Sequence, residues 1–387
     1  MKLKTVLSLA TLALATSYAT AQTQGVSKNE IVIGSIQDLS GPLAALGKQV
    51  RFGMQLRVDE LNEQSGGIHG RKIKLLIEDS QYDPKKSVLA TQKLVNQDKI
   101  FAMVAHLGTT DNLAAMPIQF AKNVPNLYPI TASKEMYEPF HKLKFGFSAS
   151  YFDQMRVFVP KVVKEKNAKK VCTIYQDDDF GAEVMQGAEA GLKSIGMALV
   201  EKTTYKTGAT DFSSQVARLK AAECDMVVLG TVLRETIGTI GTSRRTGFNP
   251  VFLGSSAVYF DLVHKLGGPA MNGLYATMTV QNPYLDDASQ PLRFWATKYR
   301  TKFNEDPAVF SVYGYTSIDA FITAAQAAGP NLTSDSFVKA METIKFPADI
   351  FGSPEAKFGP NKRQGSDLAR LSQIQEGKWK VISDYTH

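Results

Sequence analysis

The strongest constraint on this chain is a unit that recurs along it: an apolar strand, a loop, then an amphipathic helix. EIVIGSIQD is the first such strand, apolar enough for burial on both faces. The loop Leu39-Ser40-Gly41-Pro42 leads to a helix with Val50, Met54, Val58 and Leu61 on one face. Gly66-Gly67 stops it. KIKLLIED, IFAMVAHLG and VPNLYPITAS repeat the strand pattern. Asp83-Pro84 opens one intervening helix, and Thr109-Thr110-Asp111 offers the N-cap of the next. The pattern restarts after Ser150 with KKVCTIYQD, ALVEKTTY, DMVVLG and PVFLGSS, separated by helices over 183–192, 212–221 and 234–246. Strand, loop and helix in series build an open parallel α/β sheet. Two series predict two similar lobes with a cleft between them.

The length of 387 residues suits two such lobes better than one domain. Hydrophobic residues at 44% and charged residues at 21% belong to a folded globule, not to a disordered chain. After GLYATMTVQNP come helices over 291–303, 311–328 and 334–343, then short strands in SPEAKF, LSQIQEG and KWKVISDY. These have too few strands for a third domain. They read as additions to the earlier lobes, so the chain crosses between lobes more than once.

The N-terminus reads as a secretory signal. Lys2 and Lys4 precede an apolar run from Thr5 to Ala15, and Ala19-Thr20-Ala21 gives the small-x-small cleavage pattern. The run is too short to span about 30 Å of hydrocarbon, which argues against a membrane anchor. Loss of the two lysines lowers the net charge of +7 by two. Lys161, Lys164, Lys166, Lys169 and Lys170 cluster near the end of a helix without interleaved aromatics. They read as a solvated face, not a nucleic-acid surface. Cys172 begins one strand and Cys224 precedes another. Neighbouring parallel strands would place both at the same end, so a disulfide and two buried thiols both remain open.

Catalytic and metal patterns are not found. His69, His106, His141, His264 and His387 are scattered, with no HExxH, GxSxG or CxxC. The segment from Gly41 to Lys48 departs from a phosphate loop, with Leu46 in the second glycine's place and Gln49 where Ser or Thr would hold magnesium. Asp177-Asp178-Asp179 lacks the alternating ligands of a calcium loop. No catalytic residue, metal ligand or cofactor is assigned.

The segment IVIGSIQDLSGPLAALGKQVRFGMQLRVDELNEQSGGIHGRKIKLLIEDSQYDP resembles the opening of the type I periplasmic solute-binding proteins of the branched-chain amino acid transport family. HLGTTDN, VPNLYPITAS, YQDDDFGAE, GATDFSSQVARLK and FSVYGYTSIDA continue the resemblance in order over the mature chain. It implies two Rossmann-like lobes with parallel sheets joined by three hinge crossings, near Ser148, Thr277 and Ser353. After a signal at 1–21, lobe one would take 28–148 and 278–353, and lobe two 149–277 and 354–387. A ligand would sit in the cleft, at loops after strand C-termini where helix N-termini present free N–H groups, and the lobes would close on it by a hinge motion.

The resemblance also implies a pocket. Thr109, with Thr110 beside it, stands where the amino-acid binders hold the ligand carboxylate. Ile130 and Ala132 occupy the next anchors, which keeps the backbone contact and loses a hydroxyl, though Thr131 and Ser133 flank them. Phe180 matches a stacking aromatic and Tyr315 a late-helix tyrosine. Leu46 replaces an early-loop tyrosine. Where the amino-acid binders answer the ligand ammonium with a carboxylate, this chain has Ser255 and Ser256. A buried ammonium without that partner would lose about 1.5–3 kcal/mol and its hydration. Leu46, Tyr151, Phe180, Val232 and Tyr315 would make an apolar, partly aromatic wall. Arg234 would face an anion or lie on the helix surface. These residues point to a periplasmic receptor, expected as a monomer, that hands a small carboxylate, an aromatic or other organic acid, to the membrane permease of an ABC importer. A hydrophobic amino acid receptor, or an extracellular sensor, is the alternative.

Overall fold

The segment EIVIGSIQ forms β1 (Glu30–Gln37), a strand buried along most of its length. Its apolar run is required because parallel strands flank it on both edges and helices cover both faces. The computed structural model describes residues 23–387; the signal expected at 1–21 lies outside the described residues. β1 pairs in parallel with β2 (Lys72–Asp79) and β3 (Ala102–Val104), followed by β4 (Asn126–Leu127) and β5 (Lys144–Phe145), in the order β2-β1-β3-β4-β5. The connecting helices are α1 (Ala44–Gln64), α2 (Pro84–Gln92) and α3 (Thr109–Phe120). Asp83 caps α2 through the Lys85 N–H, as its Asp-Pro start predicts. α3 differs. Gly108, not a threonine, is its N-cap, and its φ of 98° suits glycine.

The second lobe begins with α4 (Tyr151–Lys166), capped by Ser150 through the Asp153 N–H. Its sheet contains β6 (Val171–Gln176), β7 (Lys202–Tyr205), β8 (Met226–Gly230), β9 (Val251–Gly254) and β10 (Tyr275–Met278). Between them lie α5 (Asp179–Ser194), α6 (Ser213–Ala221), α7 (Leu233–Arg245) and α8 (Asp261–Gly267). The chain then leaves for α9 (Gln290–Phe303), α10 (Val309–Ala327), α11 (Ser334–Thr343) and the small antiparallel pair β11 (Lys345–Phe346) and β12 (Ala356–Lys357). It returns as β13 (Arg370–Gln375) and β14 (Lys378–Val381), which complete the sheet order β14-β13-β10-β9-β8-β6-β7 with two antiparallel edge strands. The architecture is thus two Rossmann-like lobes, each built on a largely parallel sheet.

α10 belongs to the first lobe, where it packs along α1. The two backbones nearly touch. A Cβ on Gly53 would stand 1.9 Å from the Ser311 oxygen, and one on Gly314 would stand 2.1 Å from the Val50 oxygen. The third crossing lies later than the expected position near Ser353. Residues 356–365 remain with the first lobe: the Gly146 N–H donates to the Arg363 oxygen at 2.9 Å, and the Gly365 N–H to the Gly146 oxygen at 2.7 Å. The chain after β5 would otherwise be left with unpaired backbone groups.

Cys172 and Cys224 form a disulfide with 5.9 Å between their Cα atoms, tying β6 to the approach to β8. The two strands are parallel neighbours, Cys172 standing opposite Val227. It closes a loop of 52 residues, for which chain entropy gives a stabilisation of about 4 kcal/mol. A Cys172→Ala, Cys224→Ala double variant is expected to lose about 2–4 kcal/mol in urea unfolding. An unchanged midpoint and slope would contradict it.

Candidate functional site

The loops after β1, β3, β4, β6, β8 and β9 converge on one cavity between the two lobes. α3 supplies its first wall. Asn112 shapes the loop ahead of that helix, donating from Nδ2 to the oxygens of His106 and Gly108 at 2.8 and 2.7 Å. His106 is buried and held well below its usual value, at about 3, by burial, so it is a neutral part of this scaffold. Gly108 then passes close to Tyr82, whose ring carbon would lie 2.8 Å from any added Cβ. Among the described residues, the N–H groups of Thr109, Thr110 and Asp111 find no acceptor in the chain. They are the unpaired donors of a helix N-terminus, and they favour an anion.

Two hydroxyls lie beside them. Thr109 Oγ1 and Thr131 Oγ1 are 2.7 Å apart, and Thr131 also accepts the Ser133 N–H at 3.2 Å. If Thr131 donates to Thr109, the Thr109 proton is free for the cavity. Ala132 accepts from the Tyr151 N–H at 2.7 Å, and its own N–H is directed to the Tyr151 hydroxyl.

The second lobe contributes Tyr151, Phe180, Val232, Ser256 and Ala257. The Tyr151 and Phe180 rings meet edge to face at 5.0 Å. Ser256 is already engaged. Its N–H donates to Gln154 Oε1 at 2.8 Å, and Gln154 Nε2 donates to its hydroxyl at 3.0 Å. The same amide donates to the Ala149 oxygen and accepts from the Thr277 hydroxyl, so one buried side chain joins α4, β10 and the loop after β9. Among the described residues no Asp, Glu, Lys, Arg or His lines the cavity, whereas Tyr82, Phe147, Tyr151, Phe180, Phe310 and Tyr313 all do.

Nine of the twelve residues proposed from sequence line this one cavity: Leu46, Thr109, Ile130, Thr131, Ala132, Tyr151, Phe180, Val232 and Ser256. Three do not. Thr110 is half-buried in the first turn of α3, its hydroxyl turned to the Asp111 carboxyl. Arg234 is exposed on α7. Tyr315 faces away, donating to Glu60 Oε2 at 2.7 Å and packing on Trp295 and Phe351. Tyr313, two residues earlier and so on the opposite side of α10, takes the place at the cavity. Sequence reasoning also missed Tyr82, Phe147 and Phe310. FSVYGYTSIDA contains Phe310 and Tyr313, so the helix period was the available signal for those two. Tyr82 has no such signal; it sits in a loop at a φ of 55°.

Contacts between the lobes span the front of the cavity. Gln176 Nε2 donates to the Tyr82 hydroxyl at 3.4 Å. Glu183 on α5 accepts the Lys134 N–H of the first lobe at 3.0 Å and the Phe152 N–H at 3.3 Å. Burial raises the Glu183 carboxyl to about 7, with the Glu135 carboxylate adding to the rise and these hydrogen bonds opposing it. Burial likewise lifts Asp111 to about 7, behind the first turn of α3. Among the described residues no group of three His, Cys, Asp or Glu could hold a metal ion.

A family model described as periplasmic binding protein matches residues 30–378. The chain is 26% identical over 304 residues to an amino acid binding protein of Pseudomonas aeruginosa, an alignment covering 78% of this chain and 80% of that protein. It is 25% identical over 312 residues to a Leu/Ile/Val-binding protein homolog 2 of Brucella abortus, covering 79% and 81%. Its fold is similar to that of an R. palustris ABC transporter solute-binding protein solved in complex with benzoate, with a TM-score of 0.81, 19% identity, and 92% and 96% of the two chains covered.

Proposed function

The chain belongs to the periplasmic binding protein family, and on that premise we propose that it captures a small aromatic or other organic acid between its lobes and delivers it to the permease of an ABC importer. Members of this family are solute-binding receptors that work with ABC transporters, which implies a periplasmic location. The observation that carries the ligand assignment is the lining, which is rich in aromatic rings and free of charged side chains. A ring acid needs one anion site, and the free N–H groups of the first turn of α3 and the Thr109 hydroxyl are suited to form it. The ring would pack among Tyr151, Phe180 and Tyr313. An amino acid would also bury an ammonium, and Ser256, tied to Gln154, offers it no counter-charge. The names of the relatives favour a second reading, a hydrophobic amino acid.

Calorimetry on protein unfolded and refolded to remove carried-over solute separates the two. Benzoate, phenylacetate or 3-phenylpropionate is expected to bind at least about tenfold more tightly than leucine, isoleucine or valine. Micromolar leucine binding without aromatic acid binding would return the site to the amino-acid reading. In the same assay Thr109→Ala is expected to weaken the acid by about 1–3 kcal/mol, the cost of one charge-assisted hydrogen bond. An unchanged affinity would remove Thr109 from the anion site.

A further inference from the structure

Behind the ligand cavity, across Phe147 and Ser148, lies a second cavity of about 160 Å3. Phe147 stacks on Tyr128 of the rear cavity at 5.2 Å and packs on Tyr313 of the front one at 5.5 Å, so the partition is one side chain thick. The rear cavity is walled by all the segments that pass between the lobes. Ser148 comes from the first, Thr279 and Val280 from the second, and Leu368 from the third. Tyr128, Phe147 and Phe346 give it an aromatic lining.

Its charge is one-sided. Asp319 and Asp349 stand in the wall, and among the described residues no Lys, Arg or His does. Asp319 is paired with Arg57, which lies in an adjoining groove, at 2.7 Å. Asp349 accepts from its own turn, the N–H groups of Phe351 at 2.9 Å and Ser353 at 3.0 Å and the Ser353 hydroxyl, and has no cation within ion-pair distance among the described residues. One carboxylate at the wall therefore lacks a cation. The front cavity, by contrast, has no charge at all.

We propose that this rear cavity is a second ligand site, that it takes a small hydrophobic amine, and that its occupancy is coupled to closure of the front cleft. The aromatic walls accept the apolar body and, through their ring faces, the edge of an ammonium. Asp349 supplies the counter-charge. The coupling follows from the walls. Segments that must rotate when the lobes move set the cavity's shape, so an occupant fitted to this arrangement binds it better than any other. By linkage it raises the affinity of the front site, and the front ligand raises its own.

Titration of 2-phenylethylamine into the full chain at neutral pH tests this by calorimetry. Saturable binding is expected, weakened about tenfold or more by Asp349→Asn, and weaker by a similar factor for 2-phenylethanol. Ala320→Trp, which projects into the rear cavity, is expected to abolish it, and Leu89→Ala, on the exposed face of α2 far from both cavities, to leave it intact. If Ala320→Trp does not fold, Thr316→Tyr at the open edge of the cavity replaces it. No saturable binding at about 10 mM, equal binding of the alcohol, or binding that survives both Ala320→Trp and Thr316→Tyr would overturn the site. Solution scattering reads the coupling: saturating amine is expected to reduce the radius of gyration of protein free of front ligand, and an unchanged profile would overturn that half of the proposal. None of these outcomes depends on which acid or amino acid the front cavity holds.

Discussion

Gly314→Ala is expected to cost about 3 kcal/mol of folding stability, at the upper end of what an overpacked methyl costs. The added Cβ would stand 2.1 Å from the Val50 oxygen, in the backbone of the facing helix. No side chain can swing aside there, so the helices must separate along their shared face. Val50, Met54 and Ile318, which share these helix faces by their spacing, are buried. Gly53→Ala is expected to behave the same way, with its Cβ 1.9 Å from the Ser311 oxygen. The better helix propensity of alanine returns only about 1 kcal/mol. Gly241→Ala in α7 is the control. Its nearest neighbour is the end of the Arg245 side chain at 3.4 Å, so it is expected to be neutral or stabilising. Urea midpoints at constant slope decide the matter. A loss below about 1 kcal/mol at Gly314 would mean that α1 and α10 are not held by backbone contact.

Ligand affinity is expected to fall as pH rises through neutrality, and Glu183 is expected to be the cause. With the lobes together its carboxyl is raised from 4.5 to about 7 by burial. When the cleft opens, water reaches it and its value returns toward the ordinary one. The closed form therefore binds more protons than the open form. Closure is favoured fully below about 4.5 and loses that advantage as pH passes about 7. Across that window the effect is expected to exceed about tenfold in dissociation constant. Glu183→Gln keeps an oxygen for the Lys134 N–H but cannot ionise, so its profile is expected to be flat and its affinity higher than wild type at alkaline pH. Asp111 titrates in the same range, but its burial lies within the first lobe and is common to both proteins. Dissociation constants measured across this range for the two proteins provide the check, and parallel profiles would exclude Glu183.

The alternation of strand and helix was legible because a doubly covered parallel strand such as EIVIGSIQ has no polar face to confuse the period. The neighbourhood of Cys172 and Cys224 could be inferred from the same regularity, while the bond itself could not. The site was read through backbone-fixed positions. Thr109, Ala132 and Ser256 follow strand ends, where a loop of given length leaves little freedom. Tyr313 and Tyr315 show the limit. Two tyrosines two places apart on a helix point in nearly opposite directions; resemblance selected Tyr315, while Tyr313 lines the cavity. Arg234 shows another, since a residue one step into α7 can face cleft or solvent and turns to solvent. Phe147 and Gln154 were invisible for a different reason. Their roles arise from contacts between segments far apart in the chain, which carry no local pattern. The third crossing was misplaced because the pairing of Gly146 with residues beyond 360 is likewise nonlocal.

The contact between α1 and α10 also orders events in time. Residue 53 meets its partner only when residue 311 is present, and by then four-fifths of the polypeptide has emerged from the ribosome. Neither lobe can therefore finish early: the first waits with an apolar helix face uncovered through synthesis of the intervening segment, and the second waits for β13 and β14. A nascent chain held in that unfinished condition stays slack enough to be threaded through a narrow conduit, and it becomes compact only once its far end has followed.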